Sequence, residues 1–256
     1  MQVVVTTDQE AAGEYAADIV QRRAEEGALH VLGVATGSSP LPVYEALERR
    51  ALAAVRAARA FALDEYVGLP PGHPESYRSV IAREVTDRLG LDPARVEVPD
   101  GSVEGLRTAG ARYEELIAAA GGVDVQILGI GTTGHIGFNE PTSSLASRTR
   151  VKTLTEQTRR DNARFFDSPD DVPRHCVTQG LGTILDAREI VLVAIGSRKA
   201  AAVAAAVEGP VTAMCPASVL QLHPRVTVVV DEAAAAELRL RAYYDEVFAH
   251  RPDWQV

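Results

Sequence analysis

The chain has 256 residues, 46% of them hydrophobic and 24% charged, which is material for one large α/β domain and close to the usual charge content of a soluble globular protein. Its formal net charge of −9 argues against nucleic acid as a partner, because a phosphate backbone is bound by clustered Lys and Arg. No apolar run is long enough to span a bilayer, the N-terminus reads as a strand and not a signal peptide, and Cys176 and Cys215 have neither metal-ligand spacing nor the density of a disulfide scaffold, so the expectation is a reduced cytoplasmic enzyme without a metal.

In chain order, residues 2–6 read as a strand and 8–26 as a helix with Asp8 as N-cap. A second strand over 30–35 runs into Ala35-Thr-Gly-Ser-Ser-Pro40, and Pro40 suits the first turn of the next helix, where its missing N–H costs nothing. A short strand over 60–63 ends at Asp64-Glu-Tyr66. Residues 76–89 and 104–120 look helical, 124–130 form a strand, and 189–195 and 225–230 are further Val/Ile-rich strands. Helices follow over 197–207 and 232–250. Strands alternating with helices predict a single Rossmann-like α/β domain over 1–256, with a mostly parallel sheet covered by helices on both faces. The stretch 150–179 is different: it is polar, rich in Arg, and contains Phe165-Phe166 and a turn-like Asp167-Ser-Pro-Asp-Asp171. It is expected to pack as a helix and loop on the sheet edge, either as a lid over the site or as a plain solvated excursion.

Four strand ends carry chemistry. Thr36-Gly-Ser-Ser39 combines a flexible Gly37 with the hydroxyls of Thr36, Ser38 and Ser39 at a helix N-terminus, a phosphate-binding chemistry without a Walker lysine; such loops also exist merely to turn and cap. Asp64 and Glu65 are neighbours on a strand, so they point to opposite faces and need not form a dyad; taken alone, a cap or surface charge is the plainer reading. Lys199 sits in a first helical turn, which is unfavourable unless an anion lies there. The segment Gly129-Ile-Gly-Thr-Thr-Gly-His-Ile-Gly-Phe-Asn-Glu140 puts a titratable pair, His135 and Glu140, on a glycine-rich loop after a buried strand. Open α/β sheets bind ligands at the carboxyl ends of their strands, so convergence of these four is the stronger argument. A phosphorylated substrate would need such a local cluster of donors on an otherwise acidic protein.

The assembled segments resemble the glucosamine-6-phosphate deaminase family over nearly the whole length. They are Ala35-Thr-Gly-Ser-Ser-Pro40, Leu63-Asp-Glu-Tyr-Val-Gly-Leu69, His73-Pro-Glu-Ser-Tyr77, Gly134-His-Ile-Gly-Phe-Asn-Glu-Pro141, Ser143-Ser-Leu-Ala-Ser-Arg-Thr-Arg-Val-Lys-Thr-Leu-Thr155 and Leu220-Gln-Leu-His-Pro224. The resemblance implies a cofactor-free aldose–ketose isomerisation coupled to deamination, taking glucosamine 6-phosphate to fructose 6-phosphate and ammonia. It implies His135 with Glu140 in ring opening, Asp64 as the base at C2, and Thr36, Gly37, Ser38, Ser39, Arg164 and Lys199 around the phosphate. It also implies a homohexamer activated by N-acetylglucosamine 6-phosphate at a site with Ser143, Ser144, Arg150, Lys152, Thr153 and Tyr243; the plainer reading leaves Arg150 and Lys152 as solvated charges. One position departs from the pattern: Thr133 stands where the family usually has Asp or Asn. Threonine carries no charge, though its hydroxyl can orient an imidazole, and the missing carboxylate would slow ring opening by about 10–100-fold where that step limits turnover. Two other functions remain open: a lactonase or isomerase on a non-amino sugar phosphate, and a sugar-phosphate sensor without turnover.

Overall fold

The structure, a computed structural model, describes residues 1–166 and 168–252; Asp167, in the expected turn, and residues 253–256 lie outside the described residues. In chain order the strands and helices are β1 (Gln2–Thr6), α1 (Gln9–Glu25), β2 (Val31–Val34), α2 (Leu41–Arg50), α3 (Ala53–Ala57), β3 (Arg59–Ala62), β4 (Asp64–Tyr66), α4 (Tyr77–Ile81) and α5 (Asp87–Leu89). Then come β5 (Val96–Glu97), α6 (Leu106–Ala119), β6 (Val125–Leu128), β7 (Arg150–Thr153), α7 (Glu156–Asn162), β8 (His175–Thr178), α8 (Leu181–Leu185), β9 (Glu189–Ala194), α9 (Ala200–Val207), β10 (Val226–Asp231) and α10 (Arg241–Ala249).

The main sheet has seven strands in the order β1-β10-β9-β6-β2-β3-β5, and its paired strands are parallel. Alternation along each strand sorts its side chains into two cores. Ile190, Leu192 and Ala194 of β9 join Tyr113 and Ile117 of α6, Ile184 of α8 and Val203 of α9 on one face. Val191 and Val193 join Ile19 and Val20 of α1 and Val43 and Leu47 of α2 on the other. Strands buried on both faces explain why β9 and β10 read as continuous apolar runs. Asp8 caps α1 as expected, its carboxylate accepting from Ala11 N–H at 2.9 Å.

Three elements differ from their sequence patterns. Residues 76–89 are interrupted by a π-helical turn, Ala82–Thr86, before α5 closes at Gly90 with φ +64°; Arg83 and Glu84 of that turn reach the cavity described below, a placement π-turns often serve. Of the helix expected over 232–250 only α10 forms. Asp231 accepts from Ala234 N–H at 2.7 Å and from Gly196 N–H at 3.0 Å, and Ala234, Ala235 and Leu238 are drawn into the core, so tertiary burial overrides the helical propensity of the alanines. The segment 150–179 is not only helix and loop: its two ends are strands. With β4 they form a second, antiparallel sheet in the order β4-β8-β7, docked at the end of β3, where Gln179 N–H donates to Leu63 O at 2.7 Å. The exposed alternation of Arg150-Val-Lys-Thr153 belongs to an edge strand, which in sequence looks merely polar. Among the described residues no helix is long and apolar enough to cross a membrane.

Candidate active site

Because the main strands are parallel, their carboxyl ends share one rim. There the chain after β2 runs to α2 on one face while α9 follows β9 on the other, and the crevice between β2 and β6 is where such sheets take ligands. A cavity of about 410 Å³ opens at this rim, a volume ordinary for a small-molecule site. Thr36, Gly37, Ser38 and Ser39 from the β2 loop line it with Asp64 of β4, His135 of the β6 loop, Arg164 after α7 and Lys199 before α9. All four strand ends therefore meet, and the spatial convergence expected from the sequence is realised.

The β2 loop is shaped for a ligand more than for its own helix. Gly37 has φ +103°, a conformation that L side chains rarely adopt. No side chain caps α2, so the loop hydroxyls are not spent on the helix end. Tyr44, buried in α2, holds the start of the loop by accepting from Ala35 N–H and donating to Ala35 O, both at 2.9 Å. Lys199 follows Gly196, whose φ of +87° makes the turn out of β9. Arg164 lies over the Phe165 ring at 4.7 Å. Two cations and a helix N-terminus around one cavity supply the local positive charge that an acidic chain needs for a phosphate.

Asp64 and Glu65 divide as strand alternation requires. Glu65 turns away from the cavity: its carboxylate accepts from the N–H groups of Tyr66, Tyr77 and Arg78, each at 2.8 Å, two of them at the start of α4. Burial still raises its carboxyl, against the lowering effect of those donors. Asp64 faces the cavity and is buried. Burial, followed by the charge of Glu65, pushes its carboxyl up to about 8. Gly137, at φ +54°, leaves it room, since a Cβ there would lie 3.4 Å from Asp64 Oδ2 and 2.9 Å from Thr178 Oγ1.

His135, Thr133 and Glu140 form a closed triangle. Thr133 Oγ1 donates to Glu140 Oε2 at 3.0 Å and lies 2.9 Å from His135 Nδ1; His135 Nδ1 is 3.3 Å from Glu140 Oε1. With the Thr133 proton given to Glu140, the hydroxyl oxygen accepts from Nδ1–H, which assigns the tautomer and leaves Nε2 free to take a proton. Thr158 of α7 also donates to Glu140 Oε1. Burial opposes the Glu140 charge, but the bonds from His135, Thr158 and Thr133 outweigh it and hold the carboxyl at about 2. Glu140 is thus held as a charge beside the imidazole of His135.

Sequence reasoning missed three contributors. Gly131 is required by packing: a Cβ there would fall 2.1 Å from the His135 ring, and in sequence it is one glycine among several. Thr158 lies 18 residues from Glu140 and carries no sequence signal beyond being in the expected lid. Tyr66, Tyr77, Phe138 and Phe166 form an aromatic floor, with Tyr66 to Phe138 and Tyr66 to Phe166 at 5.6 and 5.8 Å, and Asn162 donates to Tyr66 OH at 2.9 Å.

The residues expected at a regulatory site are not gathered in one chain. Arg150, Lys152 and Thr153 lie on β7 beside α6, Ser143 is buried with an unpartnered Oγ, and Ser144 is exposed. Tyr243 is exposed on α10, which packs on β1. Among the described residues no group of His, Cys, Asp or Glu is arranged to hold a metal ion.

The chain matches the family model of glucosamine-6-phosphate isomerases/6-phosphogluconolactonase over residues 6–229. It is 58% identical over 257 residues to a glucosamine-6-phosphate deaminase of Pseudarthrobacter chlorophenolicus, covering 100% of this chain and 99% of the relative. It is also 58% identical over 259 residues to one of Streptomyces coelicolor, with the same coverage. A solved monomeric glucosamine-6-phosphate deaminase is 40% identical with a TM-score of 0.88, covering 93% of this chain and 100% of that one. A 6-phosphogluconolactonase from Trypanosoma brucei, 18% identical with a TM-score of 0.75 over 93% of this chain and 98% of its own, shares the fold.

Proposed function

Because the chain belongs to the family of glucosamine-6-phosphate isomerases and 6-phosphogluconolactonases, we propose that it is a glucosamine-6-phosphate deaminase, converting that substrate and water to fructose 6-phosphate and ammonia. The observation that carries this reading is the pairing of a buried high-pKa carboxyl, Asp64, with an imidazole whose charge partner is fixed, in one cavity with a cationic end.

The reaction is built from these groups. The phosphate sits at the Ser38–Ser39 loop between Arg164 and Lys199. His135 Nε2 takes the proton of the anomeric hydroxyl and returns it to the ring oxygen, giving the open aldehyde, while Glu140 balances the transient imidazolium. Asp64, as carboxylate, removes the C2 proton and a proton is delivered to C1. The amine-bearing C2 becomes an iminium, water adds to it, and ammonia leaves to give the ketone. A base near 8 suits this step better than a free carboxylate near 3.9. The test is ammonia and fructose 6-phosphate formation by wild type beside Asp64→Asn. No product from a folded wild type that binds the sugar would move the assignment to a sensor, and turnover of a 6-phosphogluconolactone alone would move it to a lactonase.

A second element of the reading is regulation by N-acetylglucosamine 6-phosphate in a homohexamer, working in the cytoplasm. Support comes from the ladder of the small sheet, where Arg150 pairs with Thr178 and Thr178 with Asp64, while Lys152 pairs with Cys176 and Cys176 with Tyr66. Directly paired residues project to one side, so an anion held by the β7 cations would act on the row that carries the C2 base. Ser143 and Ser144 precede β7 in the chain and Thr153 ends it, and Tyr243 would come from elsewhere in an assembly. Light scattering at six times the mass of a 27.3 kDa chain and sigmoidal kinetics made hyperbolic by the acetylated sugar are expected. A monomer with hyperbolic kinetics indifferent to that ligand would overturn it.

A further inference from the structure

We propose that Thr158, on the first turn of α7, is a positioning residue that holds the Glu140 carboxylate against His135, so that the ring-opening groups are complete only while α7 is docked over the cavity. The inference rests on the deaminase reading and concerns how that site is assembled.

The two oxygens of Glu140 are served from different places. Oε2 accepts from Thr133 at 3.0 Å, within the His135 loop itself. Oε1 is shared between His135 Nδ1, at 3.3 Å, and the Thr158 hydroxyl. Thr133 remains with Glu140 wherever α7 goes, whereas Thr158 arrives only with α7. Its hydroxyl is fixed by the helix cap: Thr158 N–H donates to Thr155 Oγ1 at 3.1 Å, and the two hydroxyls are 3.0 Å apart. One turn later on the same face, Asn162 donates to Tyr66 OH, and Phe166 stacks on His73 at 5.8 Å. The docking face of α7 therefore touches the reacting apparatus at Glu140 and the cavity floor at Tyr66. Undocked, Oε1 would lose a charge-assisted donor and Glu140 would be freed to turn from the imidazole. Substrate bound under a docked α7 meets a complete acid–base set; substrate under an open one does not.

Three variants test this: Thr158→Val, which keeps shape and removes the hydroxyl, Thr158→Ser, which restores it, and Asn162→Leu, which loosens the other end of the same face. Thr158→Val is expected to lower kcat by about 10–100-fold, the range for a lost hydrogen bond to a charge, with KM changed less than about threefold. In the substrate-free protein, carbon-13 NMR of the Glu140 carboxyl should show its titration moving upward in Thr158→Val, returning in Thr158→Ser, and moving part of the way in Asn162→Leu. Thr158→Val that retains wild-type kcat and Glu140 titration while only Tm falls would make the residue structural and overturn the proposal. An unmoved titration in Asn162→Leu would overturn the dependence on docking. The carboxyl titration needs no turnover, so a wild type that releases no ammonia would sink the deaminase reading and still leave this one decidable.

Discussion

Asp64 and Glu65 are adjacent on β4 and point to opposite sides, so one carboxylate is caged by three backbone N–H groups while its neighbour faces the cavity with its carboxyl pushed up to about 8. Burial is the larger cause and the Glu65 charge the second. The caged residue thus helps to raise its neighbour's carboxyl.

The first consequence is a pH profile. As the proposed C2 base, Asp64 acts only when ionised, so kcat/KM should rise about tenfold per pH unit below 8 and level above it, since this quantity reports the free enzyme. Glu65→Gln removes the like charge and should shift that rise to lower pH. A profile flat from pH 6 to 9 would show that Asp64 is not the titrating base.

Stability should carry the opposite mark of the same group. Its folded carboxyl is raised from 3.8 to about 8, so the folded state binds the proton more tightly. Between these values stability falls as pH rises, and the loss is complete above about 8. Asp64→Asn removes this penalty. We expect turnover to drop by about 10²–10⁴-fold while Tm at pH 9 exceeds that of wild type. A variant less stable than wild type at pH 9 would show that the buried charge is compensated in the folded protein.

Thr133 bridges His135 and Glu140 with a single hydroxyl. Thr133→Val breaks both contacts and should lower kcat by about 10–100-fold. Thr133→Asp places a carboxylate beside the imidazole and should raise kcat by roughly tenfold if ring opening limits turnover. An unchanged rate in the Asp variant would place the limiting step after ring opening.

Gly131 is a steric requirement. Gly131→Ala puts a methyl 2.1 Å from the His135 ring, so the imidazole must move. The expected result is a loss in kcat of about 100-fold, the scale on which small misplacements of catalytic groups act, with Tm changed little. Full activity in Gly131→Ala would mean that the ring tolerates displacement.

At the phosphate end, Lys199→Met should raise KM by about 10–100-fold with a smaller effect on kcat, because a charge-assisted contact that is equal in ground and transition states acts on binding. The KM of wild type should also rise with ionic strength. A KM unchanged in the variant would remove Lys199 from the phosphate site.

Local pattern alone determined much of this protein. β9 and β10 are legible because strands buried on two faces are apolar through most of their length, and α1 because Asp8 is a capping residue set directly before a helix-forming run. The loops at 35–40 and 129–141 stand out because glycine beside hydroxyl or titratable groups, just after a predicted strand, is a pattern of ligand loops as well as of plain turns. What the tertiary structure decided depends on partners distant in the chain. The ends of the 150–179 segment became strands because β4 and each other were there to pair with, an interaction that the alternation of one polar edge strand does not announce. Residues 232–240 left the helical pattern because Asp231 and the core claimed them. Burial and its neighbour's charge raise the Asp64 carboxyl, and the Glu140 charge is held by partners that only the fold brings to it, His135 first, then Thr158 of α7 and Thr133. Local propensity acts over a few residues, whereas desolvation and hydrogen-bond partnership exist only after the chain has folded.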